Sequence, residues 1–324
     1  MKEHDLVIVG GGPAGMAAAV AAHDAGVRDI LLLERDQRLG GILNQCVHTG
    51  FGVEHFKEIL TGPEYAARFM GLVEERKDIR VSLKSFVARM TRDKVITCLM
   101  PGRLEEIQAK AVIMATGCRE RTREMVHIPG TRPAGIFSAG LAQKLINVEG
   151  LLPGENVVIV GSGDIGLIMA RRLTLEGARV KAIIEIQKES RGLYRNVVQC
   201  AHDFNIPIHL RHKIARIEGK DRVEKVWVEQ VDAELNETGR GFGIVCDTVL
   251  ISVGLIPENE LLEMAGAAID PLTNSPVAAS ANMTSIPGIF SCGNSFKVYD
   301  IVDSVTKDSL LCGQMAAEYI KGAA

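Results

Sequence analysis

A glycine-rich turn occurs twice in this chain, each time between a short apolar strand and a helix. The first copy, Gly10–Gly15, follows the apolar run Leu6–Val9, and the second copy, Gly161–Gly166, follows a similar run. A helical stretch, a second apolar run and a glutamate come after each turn. Both glutamates, Glu34 and Glu185, lie 19 residues beyond the third glycine. This internal repeat predicts the same strand–turn–helix–strand unit at two places in the chain.

The three glycines of each turn answer different physical needs. Gly10 permits the tight turn out of the strand, Gly12 lets a pyrophosphate approach the backbone, and Gly15 lets the helix pack closely on the sheet. The helix that begins beside Pro13 and Ala14 offers free N–H groups and a partial positive charge to phosphate. The acid after the second strand can accept hydrogen bonds from a ribose diol. The sequence therefore predicts two dinucleotide sites on two Rossmann-like domains of an α/β fold.

The second copy adds information about its ligand. A carboxylate at Glu185 can bond the 2′-hydroxyl of NADH and would repel the 2′-phosphate of NADPH, so we favour NADH. Lys188 and Arg191 could bend toward a phosphate, or they are solvated loop charges. Asp164 is interpreted first as a favourable charge at the positive end of its helix. The residues expected to bind this nucleotide are Gly161, Gly163, Asp164, Ile165, Gly166 and Glu185.

The bulk properties exclude several classes of function. The chain has 324 residues, enough for two domains, with 47% apolar residues, 24% charged residues and a net charge of −3. This balance does not point to nucleic acid or to an anionic membrane. The charged start Met1–Asp5, and the lack of any apolar run of about 20 residues, predict neither a signal peptide nor a membrane span. We therefore expect a cytoplasmic protein.

The seven cysteines are scattered, and no two lie closer than 20 residues in sequence. This spacing excludes a CxxC redox pair, a zinc ribbon and the familiar iron–sulfur patterns, and we assign no metal site. Reduced, buried thiols are the default expectation for most of them. Cys118 and Cys292, which follow or end apolar strands, are expected to be buried.

Two further segments extend the pattern beyond the repeat. An apolar strand ends in Thr116-Gly117, and a late strand runs into a turn at Gly293. A helix is expected to begin near Asp303, which can cap it, and to run through Glu318. With the two glycine turns, these features make the chain resemble the pyridine nucleotide-disulfide oxidoreductase superfamily of FAD- and NAD(P)H-dependent flavoproteins, over essentially its whole length.

The length resembles that of the short, thioredoxin-reductase-like branch, which lacks the C-terminal dimerisation domain. The resemblance implies a discontinuous FAD domain at residues 1–120 and 246–324 and an inserted NAD domain at residues 121–245. The crossings would fall near Arg119–Arg123 and near Cys246. The resemblance also implies that FAD is bound by Gly10, Gly12, Pro13, Ala14, Gly15, Glu34, Arg35, Gly41, Val87, Thr116, Gly117, Gly293, Asn294, Ile301 and Val302.

A narrower resemblance is carried by Gly40–His48, Thr61–Tyr65, Ala115–Arg121 and Pro129–Gly135. These segments look like those of a subfamily of flavoproteins found beside glycerol-3-phosphate-dehydrogenase-like proteins. Relatives serve as subunits of opine oxidase, amino-acid dehydrogenase and hydrogen cyanide synthase complexes. The resemblance implies a second redox subunit, namely a glycerol-3-phosphate-dehydrogenase-like flavoprotein, as the partner, with a homo-oligomer as the alternative.

Two departures from the wider family bear on the reaction. The late turn usually reads Gly-Asp, whereas here it reads Gly293-Asn294. Asparagine still donates and accepts hydrogen bonds, but the local charge changes. Disulfide reductases carry two cysteines a few residues apart, and no pair has that spacing here. We therefore expect no internal dithiol relay.

Three functions follow from these patterns. The first is an FAD-dependent NADH oxidoreductase, in which hydride passes between NADH and flavin and electrons continue to an external acceptor or partner subunit. The second is a self-contained NADH oxidase or peroxidase with Cys46 as its catalytic residue, where His48 could lower the pKa of the thiol. A packed Cys46 without a redox role is the alternative. The third is one member of a larger complex that binds FAD and NAD without turnover.

Overall fold

The computed structural model describes residues 2–322. Its strands are β1 Lys2–Val9, β2 Ile30–Leu33, β3 Thr49–Phe51, β4 Leu60–Thr61, β5 Ile79–Ser82, β6 Phe86–Met90, β7 Val95–Met100, β8 Arg103–Met114, β9 Cys118–Glu120, β10 Ile136–Ser138, β11 Asn156–Val160, β12 Arg179–Glu185, β13 Ile208–Leu210, β14 His212–Gly219, β15 Val223–Val231, β16 Glu237–Val245, β17 Thr248–Ile251, β18 Leu255–Pro257, β19 Ala278–Ser280, β20 Met283–Thr284 and β21 Ile289–Ser291. Its α-helices are α1 Pro13–Asp24, α2 Gly62–Glu74, α3 Ala139–Asn147, α4 Asp164–Leu175, α5 Tyr194–Cys200, α6 Glu260–Met264 and α7 Val302–Gly322. Short 3-10 helices span Gly41–Gln45, His202–Phe204 and Gly293–Ser295.

The elements form two units, each with its own parallel sheet. The first unit holds the chain up to Arg119 and from Ile256 onward, and the second holds Glu120–Leu255. The second crossing thus lies later in the chain than the one expected near Cys246. The reason is that β17 pairs with β10 and β11 in the sheet of the second unit. Which cofactor each unit binds stays a prediction.

The first unit is built on a nine-stranded sheet. Its main strands follow the order β19-β20-β21-β8-β1-β2-β5, and β6 and β7 form an antiparallel extension of β8. Strands β1, β2, β5, β8 and β21 are paired in parallel. Alternate residues of β1 and β2 enter two cores, one beneath α1, α2 and α7 and one beneath β6, β7 and α6. Burial on both faces explains the unbroken apolar runs in these strands.

The second unit repeats this plan on a smaller scale. Five parallel strands follow the order β10-β17-β11-β12-β13. Helices α3, α4 and α5 cover one face of the sheet. The antiparallel sheet β14-β15-β16 covers the other face, through a core that includes Ile214, Ile217 and Val226. The prediction of an α/β fold with two Rossmann-like sheets agrees with this arrangement.

Local sequence fixes the ends of several helices. Helix α2 begins with a capping box, in which the Thr61 N–H donates to the Glu64 carboxylate at 2.7 Å and Thr61 Oγ1 accepts from the Glu64 N–H at 3.4 Å. Helix α1 has proline at its first turn, where the missing N–H costs nothing. In residues 2–322, no helix combines the length and apolar character that a membrane crossing requires.

The contact between α1 and α7 generates a stability prediction. A Cβ at Gly313 would overlap the carbonyl oxygen of Ala18, whereas a Cβ at Gly71 in α2 would have no atom within 4 Å. We expect Gly313→Ala to lower the free energy of unfolding by about 1–3 kcal/mol through overpacking. Gly71→Ala, the matched control, should raise it by about 0.5–1 kcal/mol. Denaturant unfolding of both variants measures the difference, and equal shifts would contradict this packing.

Candidate dinucleotide-binding sites

In the first unit, the turn between β1 and α1 has no room for a side chain at the first and third glycines of the motif, Gly10 and Gly15. Gly10 has a φ of +109°, and a Cβ there would overlap the Ala115 carbonyl oxygen. A Cβ at Gly15 would overlap the carbonyl oxygen of Gly10. Gly12 differs, because a Cβ there would meet only the Gly41 Cα, at 3.9 Å. The middle glycine therefore leaves an open cradle in front of the helix N-terminus.

A buried glutamate holds this turn in place. The Glu34 side chain, at the end of β2, accepts the Gly11 N–H on Oε2 at 2.7 Å and the Asp36 N–H on Oε1 at 2.8 Å. Glu34 is only 5% exposed. A carboxylate has about four acceptor positions, so two remain for other donors such as ribose hydroxyls. The next residue, Arg35, is exposed and lies 3.7 Å from the Glu258 carboxylate.

The structure brings three other predicted segments to the same turn. A Cβ at Gly41 would lie 3.0 Å from the Gly12 Cα, so the 3-10 helix Gly41–Gln45 starts beside the cradle. A Cβ at Gly293 would lie 2.7 Å from the Ala14 Cβ, so the late turn packs on the first turn of α1. Next to Ala115, Thr116 is fixed by a hydrogen bond from its hydroxyl to the Glu258 carbonyl.

The remaining predicted residues of this unit occupy varied positions. The φ of Gly117 is +74°, and no atom lies within 4 Å of an ideal Cβ there. Val87, in β6, has its side chain buried in the core beneath β6 and β7. Ile301 is 41% exposed, and Val302 is the first residue of α7.

The second unit repeats the turn and its glutamate. A Cβ at Gly161 would overlap the Ser252 carbonyl oxygen, and one at Gly166 would lie 2.5 Å from the Gly161 carbonyl oxygen. No atom lies within 4 Å of a Cβ at Gly163. Glu185 Oε2 accepts from the Ser162 N–H at 2.9 Å and from the Ser162 hydroxyl at 2.6 Å.

The loop after β12 also donates a hydrogen bond to Glu185, the buried glutamate of the second unit. Glu185 Oε1 accepts from the Gln187 N–H at 2.9 Å, the counterpart of the Asp36 bond to Glu34. Glu185 is 4% exposed. The two units thus share one arrangement, an open middle glycine, a helix N-terminus and a buried carboxylate with an acceptor position to spare. These features fit a dinucleotide in each unit, since they offer donors to phosphate and an acceptor to ribose.

The sequence did not predict that residues 190–196 contact the glycine turn of the second unit. Asp164 places a negative charge in the first turn of α4 and also binds this segment. Its Oδ1 accepts hydrogen bonds from the Leu193 N–H at 2.9 Å and from the Asn196 side-chain amide at 2.6 Å. The Ser162 carbonyl accepts from the Gly192 N–H at 2.9 Å. Residues 190–196 are therefore fastened over the glycine turn, next to the 37% exposed Ile165. Ser162, which stands where the first copy has Gly11, was the available signal.

The Cys46 environment does not favour a thiolate. Burial raises the pKa of the Cys46 thiol to about 12, and its Sγ donates to the Ile42 carbonyl at 3.3 Å. The ring of His48 packs on Phe51 at 5.0 Å, and its Nδ1 lies 3.2 Å from the Thr49 carbonyl oxygen. A protein thiol with this pKa stays protonated at neutral pH and is a weak nucleophile.

Two other cysteines meet in the core of the first unit. Cys292 and Cys312 are both fully buried, and their thiols are in contact. Burial, followed by the neighbouring Cys292 thiol, raises the pKa of Cys312 well above its usual value. Cys118 differs from the expectation of burial, because it is half-buried and faces the Asn294 side-chain amide at 3.5 Å. The Asn294 Oδ1 accepts from the Tyr299 N–H at 3.1 Å, so this amide braces the late turn.

The prediction that Asp303 caps its own helix is wrong. Helix α7 begins at Val302, and Asp303 lies within its first turn. The Asp303 carboxylate, 6% exposed, accepts from the Gly52 N–H at 3.2 Å and the His55 N–H at 2.9 Å. These two donors come from another segment, and they compensate the burial of the charge. Asp303 thus anchors the loop after β3 to α7.

Comparison with known proteins agrees with this geometry. The chain is 27% identical over 301 residues to hydrogen cyanide synthase subunit HcnB of Pseudomonas protegens, covering 85% of this chain and 62% of that protein. It is 24% identical over 318 residues to an opine oxidase subunit of Agrobacterium tumefaciens, covering 90% of this chain and 61% of that protein. The chain therefore spans about three fifths of the length of these curated relatives.

Solved structures give the same fold. The crystal structure of thioredoxin reductase from T. acidophilum superposes with a TM-score of 0.78 at 23% identity, and each chain is covered fully. The model of a family described as pyridine nucleotide-disulphide oxidoreductase matches residues 4–307. The predicted family resemblance and fold class are confirmed. The chain belongs to the pyridine nucleotide-disulphide oxidoreductase family, whose members are FAD-dependent NAD(P)H oxidoreductases.

Proposed function

We propose that this chain is an FAD-dependent NADH oxidoreductase that exchanges electrons with an external acceptor or with a partner redox subunit. The observation that carries the proposal is the duplicated turn, in which a buried glutamate, Glu34 or Glu185, bonds the N–H that follows the first glycine. Two such cradles on one chain suit a pair of dinucleotides. The family membership supports FAD and NAD(P) as that pair.

The first unit would hold FAD and the second NAD. When bound, the two groups supply hydride transfer between nicotinamide and flavin, with electrons passing to or from the acceptor. In the first unit, Gly12 and the N-terminus of α1 would receive the pyrophosphate, while Glu34 would accept from ribose. In the second unit, Gly163 and the N-terminus of α4 would take the same roles. Cytoplasmic location stays a prediction.

The preference for NADH rests on the charge of Glu185. This carboxylate is buried and already accepts three hydrogen bonds from Ser162 and Gln187, which hold it at the end of β12. A fixed negative charge at that place favours a neutral ribose hydroxyl and repels a 2′-phosphate. Lys188 is exposed, and its Nζ lies 3.7 Å from the Glu189 carboxylate of its own loop.

The external acceptor is supported by the state of the thiols. Cys292 and Cys312 touch each other, but both are fully buried and neither can meet a separate substrate. Cys46 carries a raised pKa, which disfavours the self-contained peroxidase. Two relatives are named as subunits, of hydrogen cyanide synthase and of opine oxidase. We therefore infer a partner protein, and the subfamily resemblance suggests a glycerol-3-phosphate-dehydrogenase-like flavoprotein.

Dye reduction tests the proposed function. The FAD-loaded chain should reduce an artificial electron acceptor with NADH, and Cys46→Ser should leave that rate essentially unchanged because Cys46 lies outside the electron path. Cys118→Ser, another half-buried thiol, is the matched control. NADH-dependent reduction of peroxide or oxygen by the unchanged chain that is lost only in Cys46→Ser would favour the single-cysteine oxidase or peroxidase. Absence of dye reduction in the unchanged chain would favour the complex member that binds without turnover.

The nucleotide preference has its own test. We expect Glu185→Gln to raise the Kd for NADH about tenfold, about 1.4 kcal/mol, because a charge-assisted hydrogen bond is lost. The Kd for NADPH should stay the same or fall, since the repulsion disappears. Titration with each nucleotide measures both values, and Glu189→Gln in the exposed part of the loop is the control. An equal rise in the Kd values for NADH and NADPH would refute the preference for NADH.

Alanine at the open position Gly163 should weaken NADH binding, whereas alanine at the crowded position Gly161 should lower stability. Gly163→Ala has space for its Cβ and a φ of −68°, so we expect unchanged stability but a Kd for NADH raised at least about tenfold. Gly161→Ala should instead lose stability, because its φ is +97° and its Cβ would overlap Ser252. Thermal unfolding without nucleotide and titration with NADH separate the two effects. Normal NADH binding by Gly163→Ala would argue against a phosphate in this cradle.

A further inference from the structure

Strand β16 forms a free edge in the second unit. It is the outer strand of the sheet β14-β15-β16, and within residues 2–322 no strand pairs with its other side. Eight of its nine residues, Glu237–Val245, are exposed. The outward N–H and C=O groups of such an edge are recognised by another extended chain, through main-chain hydrogen bonds. A long exposed edge of this kind therefore indicates a strand-pairing surface.

Two glycines let charged side chains of β15 reach this edge. Gly241 lies opposite Glu229, and a Cβ at Gly241 would overlap the Glu229 carboxylate. A Cβ at Gly243 would overlap the side chain of Lys225 and lie 2.8 Å from its Nζ. The glycines thus leave a shallow trough, which the Glu229 carboxylate enters at Gly241 and the Lys225 side chain enters at Gly243.

The carboxylate in this trough has unused hydrogen-bonding capacity. Glu229 Oε1 is buried and accepts no hydrogen bond from the part of the chain that the structure describes. Lys213, opposite Glu229 on β14, has its Nζ 3.0 Å from the Glu237 carboxylate instead. A buried carboxylate oxygen without a donor is costly, so an additional cation at this place would be stabilising.

The spacing of these charges selects one partner, a second copy of β16. In an antiparallel pair centred on Phe242, Gly241 of one copy lies opposite Gly243 of the other. Glu229 then meets Lys225 of the second copy, and the twofold axis repeats this contact. On the opposite face the two Phe242 rings, each 36% exposed, lie side by side.

Neighbouring registers are unfavourable. Centring the pair on Gly241 would place the two Glu229 carboxylates together, and centring it on Gly243 would place the two Lys225 side chains together. Centring on Arg240 would set the two guanidinium groups opposite each other, and like charges directly opposite are destabilising. We propose that β16 pairs antiparallel with β16 of a second copy of this chain, about a twofold axis at Phe242.

The strength of this dimer follows from its size. One strand pair belongs to the small interfaces, below about 1,200 Å² of buried surface, which are typical of weak or transient association. The fraction of the protein present as dimer should therefore rise with protein concentration. Salt should weaken the dimer, because Glu229 and Lys225 are only half-buried and their attraction is therefore partly screened.

Charge reversal tests the proposal. Sedimentation velocity of the full chain over a range of concentrations should show a monomer–dimer equilibrium. Glu229→Lys or Lys225→Glu should raise the dimer Kd at least about tenfold by setting like charges together, and the double variant should restore it. Leu175→Lys, an exposed change on α4 of the same unit, is the control and should leave the Kd unchanged. A monomer at every concentration, or a dimer indifferent to the single reversals, would overturn the proposal.

A cross-link tests the register without relying on the charge variants. Phe242→Cys places a thiol on the axis, and mild oxidation should give a covalent dimer well above the background of the unchanged chain. Arg240→Cys points to the same face but lies opposite Ile244 of the other copy, so it should not cross-link. Circular dichroism of each variant confirms folding. Cross-linking of Arg240→Cys but not Phe242→Cys would refute the register.

Discussion

Both units depend on a buried glutamate that ties the end of the second strand to the glycine turn. A carboxylate taken out of water must be compensated. At Glu34 and Glu185 the compensating donors are backbone N–H groups of the turn and of the following loop, joined at Glu185 by the Ser162 hydroxyl. The turn is therefore held in one shape before any ligand arrives. A cradle that is already shaped loses less ordering entropy when it binds.

Much of the fold could be predicted because its determinants are local. The apolar runs, the glycine turns and the acids lie within about 30 residues of one another, the length of one strand–turn–helix–strand unit. The antiparallel strands β14–β16 were not recognised, since their apolar alternation is interrupted by bulges near Ile214 and Glu218. The crossing lies later than the one expected near Cys246 because β17 pairs with β10 and β11, which lie far from it in sequence.

The parts of the site that could not be predicted depend on contacts between distant segments. The sequence around Asp303 predicts a helix cap, yet the N–H groups that donate to its carboxylate belong to residues 52 and 55. Cys292 and Cys312 are 20 residues apart in sequence, and only the packing of α7 against β21 brings their thiols together. Asp164 likewise bonds to a segment nearly 30 residues later. A single sequence carries no period or motif that reports such pairings.

The first unit takes its elements from both ends of the chain. The end of β8 pairs with β21, and α1 packs against α7, so both partners lie beyond the whole of the second unit. On the ribosome, the second unit is complete before β21 and α7 exist. Until then, the nascent chain carries a half-built sheet with a bare β8 edge and an uncovered α1, both prone to wrong association. The order of synthesis thus places closure of the first unit after completion of the second.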